Sequence, residues 1–397
     1  MGRFLTKMPQ VAILLESVHG YCRNVLQGIL KYQNLYGPWG VYFEPGGSAD
    51  QKLPSQKKWK GNGIICLVTN QEIEKSVLQT RIPTVLIDPW EEYLVPTHPF
   101  SKYCQVRANS HEVGKMAAQF FLAKDFKHFA FVGGYPERNW GKDRRTAFTE
   151  SVLQQGLDYF SYMPTFREEY EAETDRKLLG RWLKKLPKPV GILTSTDIRG
   201  RQVLGACLQS GINVPQEVSV LGCDNDVLLC ETANPPLSSV VLNEEYAGYQ
   251  AAKLLDQLMK DRSYKGTIIT YNPKEIVSRR STEIVLGSDK LVTETLEFIR
   301  INSGININVS DVVKYMAVSR RTLECRFKSS LGYTVLDEIQ RVKMDKIRSL
   351  ICETTLPLYS IAEMCAFDSE SYMGKVFKKN FGCSMIEYRQ KYSTLKG

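Results

Sequence analysis

The chain has 397 residues, of which 43% are hydrophobic and 24% charged, a globular composition with room for roughly two or three domains. No apolar run approaches the roughly 18 residues of a membrane span, so we expect a cytoplasmic protein without a membrane partner. The net charge of +9 permits a polyanionic partner without requiring one. Ten scattered cysteines form no C-x-x-C pair and do not cluster with the four histidines, which excludes zinc spacing and favours reduced thiols. We predict no metal site and no cofactor.

Short apolar runs alternate with helical patterns from about residue 9. Buried strands are predicted at 11–17, 41–45, 63–68, 83–88, 128–134, 190–197 and 218–226. Amphipathic helices are predicted at 21–37, 110–126, 143–156, before Gly211 and at 246–260. Strands that alternate with helices form parallel βαβ sheets, and a stretch this long predicts two doubly wound sheets that face a cleft. Ligands bind such folds outside the carboxyl ends of the strands.

The pattern changes to short helices alone near residues 283–289, which we interpret as a linker. An α/β two-lobed domain is therefore predicted at 9–282, and an all-α domain at 290–397. Helices are predicted in the second domain at 290–302, 309–316, 320–331, 334–352, 358–365, 370–381 and 384–392.

Two segments of the all-α domain repeat one pattern, "SRRTLECRFKSSLG" at 319–332 and "SESYMGKVFKKNFG" at 369–382. Each opens on a serine that can cap a helix, places an apolar residue at every fourth position and ends at glycine. A short helix and a turn precede each segment, so the sequence predicts two helix-turn-helix motifs. Exposed positions of the second helices are predicted to contact double-stranded DNA: Arg320, Arg321, Glu324, Cys325, Lys328, Ser371, Tyr372, Lys375, Lys378 and Lys379.

A long helix, "VLDEIQRVKMDKIRSLICE", separates the two copies and would span about 28 Å at 1.5 Å per residue. This length approaches the ~34 Å between successive major-groove faces on one side of a duplex. One chain could thus place two helices in adjacent groove segments. Any helical bundle has the same apolar spacing, but two matched copies joined by a rigid spacer favour DNA binding.

Residues 290–392 resemble the AraC-type DNA-binding domain. The resemblance rests on "DVVKYMAVSRRTLECRFKSSLG" and "SIAEMCAFDSESYMGKVFKKNFGCSMIEYR". The chain departs from the family at Cys325, where a base-reading Arg or Lys is common. It also departs at Ala366, where Gly usually precedes the aromatic of the second turn; alanine tolerates most turn geometries but disfavours a positive φ.

The first domain resembles the effector domains of LacI/GalR repressors, which are periplasmic-binding-protein folds. The resemblance rests on "QVRANSHEVGKMAAQFFLAKDFKHFAFVGG" and "VSVLGCDNDVLLCETANPPLSSV". Fused to an AraC-type domain, the combination is similar to bacterial regulators of sugar operons over nearly the whole chain. It implies a sugar-responsive transcription factor, an activator of carbohydrate-utilisation genes, with a monosaccharide effector such as xylose. A homodimer and a contact with RNA polymerase are implied as well.

The same resemblance implies ligand contacts at Arg144 and Asp224, and at Asn109 and Asp197 at the strand ends. A sugar site also needs flat apolar faces, and the aromatic residues in predicted strand–helix loops could supply them: Tyr21, Trp90 and Trp140. Ordinary packing or surface exposure would explain these aromatics equally well. Arg144 could be a solvated helix residue, and Asp224 could cap a turn.

Two other classes of function remain open at this point. An enzyme could use the cleft, with carboxylates at Asp88, Glu91 and Glu92, but the chain has no G-x-S-x-G, phosphate-loop, G-x-G-x-x-G or H-E-x-x-H motif. We therefore predict that it is not an enzyme. A regulator with a different effector, or a DNA binder with none, would share the same architecture.

Overall fold

The computed structural model describes residues 8–54, 59–165, 172–284, 289–367 and 369–392. The chain divides into two units, Met1–Leu286 and Gly287–Gly397. This division falls inside the predicted linker 283–289, of which 285–288 lie outside the described residues, so the predicted domain boundaries stay a prediction. No helix of the described residues is both long and apolar enough to cross a lipid bilayer.

Two six-stranded sheets form the first unit, as far as it is described. Their strands are β1 (Gln10–Leu14), β2 (Gly40–Tyr42), β3 (Gly63–Cys66), β4 (Thr84–Ile87), β5 (Cys104–Ala108), β6 (His128–Val132), β7 (Asp158–Tyr162), β8 (Val190–Thr194), β9 (Val218–Cys223), β10 (Ser238–Val241), β11 (Ile268–Tyr271) and β12 (Glu275–Val277). The first sheet has the order β11-β5-β4-β3-β1-β2 and is parallel throughout. The second has the order β12-β10-β9-β8-β6-β7, with β12 antiparallel to β10.

Helices cover both faces of each sheet, so the central strands are buried on both sides. They are α1 (Gly20–Tyr36), α2 (Gln71–Leu78), α3 (Ser110–Leu122), α4 (Asn139–Leu153), α5 (Ala172–Lys185), α6 (Asp197–Ser210), α7 (Val227–Glu231) and α8 (Glu244–Lys260). The first sheet with α1, α2 and α8 is called the first lobe, and the second sheet with α3 to α7 the second lobe. The chain crosses between the lobes after β5, before α8 and between β11 and β12. The predicted two-lobed α/β architecture is confirmed.

Several strands, among them the edge strand β11 and the inner strand β10, were not predicted from the sequence, because they do not form continuous apolar runs. In β11 the residues Ile268 and Thr270 are exposed, and only Tyr271 is fully buried. In β10 the buried positions include Ser238 and Ser239, whose hydroxyls are satisfied by hydrogen bonds within the fold. Polar residues that are buried in this way give no hydrophobic signal in the sequence.

Backbone-to-backbone packing of α1 against α8 builds the first lobe. A Cβ atom added at Gly28 would lie 1.9 Å from the Glu245 carbonyl oxygen, and one added at Gly248 would lie 1.8 Å from the Val25 carbonyl oxygen. The two glycines therefore set the distance between the helices. Through this contact α8, which packs on β3, β4 and β5, holds α1 in place beside the strand ends.

The described part of the second unit is helical and has two cores. Its helices are α9 (Lys290–Ile301), α10 (Val309–Met316), α11 (Arg320–Leu331), α12 (Val335–Glu353), α13 (Leu358–Met364), α14 (Glu370–Phe381) and α15 (Met385–Tyr392). Leu323 and Phe327 of α11 are fully buried in the first core, and Met373 and Phe377 of α14 in the second. The central helix α12 contributes to both cores. The prediction of two helix-turn-helix motifs is confirmed.

Replacing Gly248 by alanine should destabilise the first unit by about 2 kcal/mol, because the new methyl group overlaps the α1 backbone. The matched control is Gly205→Ala in α6, where an added Cβ meets no atom within 4 Å. That change should stabilise the protein by up to about 1 kcal/mol, since alanine has the higher helix propensity. Denaturant unfolding of both variants measures the difference. Equal effects of the two changes would contradict the close approach of the helices.

Candidate functional site

A cavity of about 380 Å³ lies between the two lobes, beyond the carboxyl ends of the strands. We call it the central cavity. Six of the seven residues predicted to bind a sugar line it: Tyr21, Trp90, Trp140, Arg144, Asp197 and Asp224. The structure thus brings together residues that are up to about two hundred positions apart in the sequence.

On the first-lobe wall, Asp88 follows β4 and is fixed by three donors. Tyr21 donates a hydrogen bond to Oδ2, Tyr271 donates to the same oxygen at 3.1 Å, and the Ala108 backbone N–H donates to Oδ1 at 2.6 Å. Burial raises the pKa of the Asp88 carboxyl, although these donors act in the opposite direction. Asp88 has φ 36°, a left-handed conformation that is uncommon for a non-glycine residue and typical of functional sites. This group can accept hydrogen bonds from a polar ligand in a fixed direction.

On the second-lobe wall, Arg144 of α4 is 3% exposed and reaches the end of β9. Its Nη1 donates to the Ser195 carbonyl oxygen at 2.5 Å, and its Nη2 donates to Asp224 Oδ1 at 3.3 Å. Its Nε is buried without a hydrogen-bond partner among the described residues. Asp224 has φ 100°, and burial raises the pKa of its carboxyl while Arg144 opposes that rise. Arg144 is therefore a buried cation with an unused donor, which excludes the solvated alternative.

Asp197, the first residue of α6, is 2% exposed and serves mainly as an internal support. Its Oδ1 accepts a hydrogen bond from the Ser239 hydroxyl at 2.6 Å, and its Oδ2 accepts one from the Asp226 backbone N–H at 2.7 Å. Burial, and then the charge of Asp224, raises the pKa of Asp197 to about 7. Asp197 thus positions the loop after β9 as well as lining the central cavity.

Aromatic rings lie on both sides of the central cavity. The Trp140 ring centre is 5.0 Å from the Arg144 guanidinium carbon. Trp90 stacks on Tyr93 and has the Arg138 guanidinium carbon 3.2 Å from its ring centre. Because Trp90 belongs to the first lobe and Arg138 to the second, this cation–π contact joins the lobes.

Asn109 is the predicted ligand residue that does not line the central cavity. It caps α3 by accepting a hydrogen bond from the Glu112 backbone N–H at 3.3 Å. Its Nδ2 donates to Asn272 Oδ1 at 2.8 Å, which links two of the crossings between the lobes. Both polar atoms of the side chain are therefore engaged at the crossings. Its role as a ligand contact stays a prediction without support from its position.

Sequence reasoning missed several residues of this site. Tyr271 is 183 positions from Asp88. It ends β11, a strand that was not predicted because exposed residues interrupt its apolar pattern. His19 also lines the central cavity, and its bond to Glu16, 3.0 Å long, raises the pKa of the imidazole. Asp226 and Arg138 line the cavity too. Of these, only Asp226 could have been found, because it belongs to the "GCDND" segment that ends a predicted strand.

The predicted recognition helices of the two helix-turn-helix motifs are α11 and α14, and we call them the reading helices. They begin and end in the same way. The hydroxyl of Ser319 accepts a hydrogen bond from the Thr322 backbone N–H at 3.0 Å, and that of Ser369 accepts one from the Tyr372 N–H at 3.2 Å. In the turns before them, Ala317 and Ala366 both have φ 52°. A left-handed alanine costs about 1–2 kcal/mol, so the two cores hold these turns against an intrinsic preference.

Nine of the ten residues predicted to contact DNA are exposed, and Glu324 is half-buried. Their cationic members form no ion pair among the described residues: Arg320, Arg321, Lys328, Lys375, Lys378 and Lys379. Arg326 on α11 differs, since it pairs with Asp289 at the start of α9. These unpaired cations are exposed where phosphate groups could contact them, and the predicted DNA contacts stay a prediction.

Comparison with known proteins places both units in recognised families. Residues 118–282 match the periplasmic binding protein-like domain, and residues 312–391 match a helix-turn-helix domain. The chain is 30% identical over 390 residues to the xylose operon regulatory protein of Escherichia coli (strain K12), with 97% of both chains covered. It is 29% identical over 383 residues to the protein of the same name from Haemophilus influenzae, covering 96% of this chain and 98% of that one.

A solved structure of a xylose-binding transcription activator is similar over 98% of this chain and 100% of its own, with TM-score 0.80 and 28% identity. A cellobiose complex of another transcriptional regulator shares the fold of the first unit at TM-score 0.55 and 18% identity, over 70% and 86% of the chains. These relatives are transcriptional regulators and not enzymes, which confirms the prediction from the sequence.

A buried acid at a crossing between the lobes makes stability depend on pH. Glu244 begins α8, is 4% exposed and leaves Oε1 without a hydrogen-bond partner among the described residues. Burial, with a contribution from Asp224, raises the pKa of its carboxyl to about 8. Since the unfolded chain releases this proton near its usual pKa of 4.5, this group contributes stability at low pH that is lost as the pH rises towards about 8.

Glu244→Gln should therefore raise the stability of the protein at about pH 9, by up to about 5 kcal/mol, and leave it nearly unchanged at about pH 4. Thermal melting of the wild type and the variant across this range measures the effect. An equal gain at both ends would contradict the pKa assignment, because it would reflect packing.

Proposed function

The chain belongs to the family of the xylose operon regulatory proteins, and on that premise we propose that a monosaccharide such as xylose binds in the central cavity. It is a DNA-binding transcriptional regulator. We propose that sugar binding closes the lobes and changes how the second unit engages its operator. The ligand shifts the DNA-binding equilibrium only by its difference in affinity for the two states.

One observation carries this proposal: hydrogen-bond donors and acceptors face one cavity from opposite lobes. Asp88 offers an oriented acceptor on the first lobe, and Arg144 with Asp224 offers donors and an acceptor on the second. Trp90 and Trp140 add flat apolar faces, which suit the C–H face of a sugar ring. A polyhydroxylated ring that contacts both walls would favour the closed arrangement.

We further propose that the two reading helices contact successive major-groove segments and that the protein activates transcription through RNA polymerase. The similar xylose-binding protein of known structure is a transcription activator, which supports the sign of the effect. In this proposal the protein acts as a homodimer in the cytoplasm, where its operator lies.

Calorimetric titration with xylose, arabinose, ribose and glucose tests the effector. We expect xylose to bind most tightly and to raise the melting temperature with the logarithm of its concentration once that concentration exceeds Kd. Tighter binding of another sugar would change the assigned effector while keeping the architecture. If no sugar binds, a regulator without a small-molecule effector becomes the better description.

Arg144→Ala should weaken xylose binding about a hundredfold, because a charged hydrogen bond contributes about 1.5–3 kcal/mol. Arg145→Ala is the matched control, since the neighbouring guanidinium pairs with Glu137 at 2.7 Å and does not line the central cavity. Operator binding without sugar should persist in both variants. Loss of DNA binding by a folded Arg144→Ala protein would contradict the site assignment, and Asp224→Asn gives a second route if Arg144→Ala does not fold.

Lys378→Gln should weaken DNA binding to all sequences alike and lower the salt dependence of log K by about 1, because one phosphate contact is lost. Lys253→Gln, an equal charge change on an exposed face of α8 in the first unit, should leave the slope unchanged. Fluorescence anisotropy at several salt concentrations measures both. A sequence-selective loss in the Lys378 variant would instead assign it to base recognition.

A further inference from the structure

The N-terminus of α1 receives no cap from its own lobe. His19 occupies the N-cap position, yet its side chain makes no capping hydrogen bond and pairs with Glu16 instead. The first turn of α1 carries no acidic residue. The positive end of this helix borders the central cavity. It has neither a side-chain cap from its N-cap residue nor an acidic residue in its own first turn.

The missing cap comes from the opposite lobe. Asp226 Oδ2 accepts a hydrogen bond from the Gly20 backbone N–H at 3.0 Å and one from Arg23 Nη2 at 3.3 Å. Asp226 is the N-cap residue of α7, but its side chain does not cap α7. Its backbone is held by Asp197, which accepts the Asp226 N–H at 2.7 Å. The carboxylate is thus directed across the cavity at a helix of the other lobe.

Glycine at position 20 is what allows this approach. A Cβ atom added there would lie 2.5 Å from Asp226 Oδ2 and 3.0 Å from Asp226 Cβ. Any other residue would push the carboxylate away from the helix end. The close contact therefore depends on both Gly20 and Asp226, which lie on different lobes.

We propose that Asp226 caps helix α1 across the cavity and is a positioning residue that holds the two lobes together around the ligand. This inference rests on the proposed function, in which sugar binding and closure are linked. The contact forms only when the lobes approach each other, so its free energy adds to that of the ligand in the closed state. A carboxylate at a helix N-terminus with charge-assisted hydrogen bonds suits this role.

A second contact between the lobes provides the control. Lys142 on the second lobe pairs with Glu91 on the first at 3.4 Å, but the two side chains are 53% and 64% exposed. An ion pair that is this exposed contributes little, so its removal should not affect closure.

The test compares Asp226→Ala, Gly20→Ala, the double variant and Lys142→Ala. We expect each of the first two changes to weaken xylose binding about tenfold, with the double variant no weaker than either single one. Lys142→Ala should stay within about twofold of the wild type. A loss in Asp226→Ala without a loss in Gly20→Ala would overturn the proposal, since Asp226 would then contact the sugar directly. Additive losses in the double variant would overturn it as well.

Hydrogen–deuterium exchange of the peptide that contains the start of α1, measured with each protein saturated with xylose, gives a readout that is separate from affinity. We expect faster exchange there in Asp226→Ala and Gly20→Ala, and no change in Lys142→Ala. Unchanged protection in the first two variants would overturn the cap. If the wild type binds no sugar in the titration, the proposed function fails and this inference fails with it; if the wild type binds sugar but protection is the same in Asp226→Ala and Gly20→Ala, only the cap fails.

Discussion

The guanidinium of Arg144 is the charge on which the central cavity depends. Buried carboxyl groups lie around it because the strands of two sheets end at the same place. The charges of Asp224 and Asp88 both raise the pKa of Arg144. Burying such acids without a partner costs several kcal/mol per ion. Arg144 offsets part of that cost from a position that is 3% exposed, fixed by the Ser195 carbonyl oxygen. The polar groups of the cavity are thus oriented by the protein itself.

In the second unit the corresponding constraint is the central helix α12. Val335 and Ile339 near its start belong to the core of the first motif, and Ile347 and Ile351 near its end belong to that of the second. Because one helix contributes to both cores, the spacing of the two reading helices is a property of the fold. The fixed spacing of these helices is what the proposed contacts with adjacent groove segments require, and Cys325 is exposed where the family often has a base-reading cation.

The sequence predicted the helices of the second unit more closely than the strands of the first unit, because the signals that end those helices are local in the sequence. Ser319 with Gly332 and Ser369 with Gly382 mark the ends of α11 and α14, and both helices have the bounds that were expected from these residues. In the first unit, β10 and β11 were not predicted. The buried positions of β10 include polar residues that are hydrogen-bonded only in the tertiary fold, and β11 has exposed residues, so neither forms an apolar run.

The site shows the same limit. Arg144 and Asp224 were identified by resemblance, and their contact at 3.3 Å brings them together. The hydrogen bond from Tyr271 to Asp88 joins residues 183 positions apart, and no local sequence pattern predicts it. Asn109 matched the family pattern, but its position between two crossings assigns its polar atoms to Glu112 and Asn272.

Footprinting of operator DNA with and without a saturating sugar tests the link between cavity and reading helices most directly. We expect xylose to extend or strengthen protection over two successive major-groove segments per protomer in the wild type. Footprints that are identical with and without a sugar that demonstrably binds would contradict the central claim that the cavity controls DNA recognition.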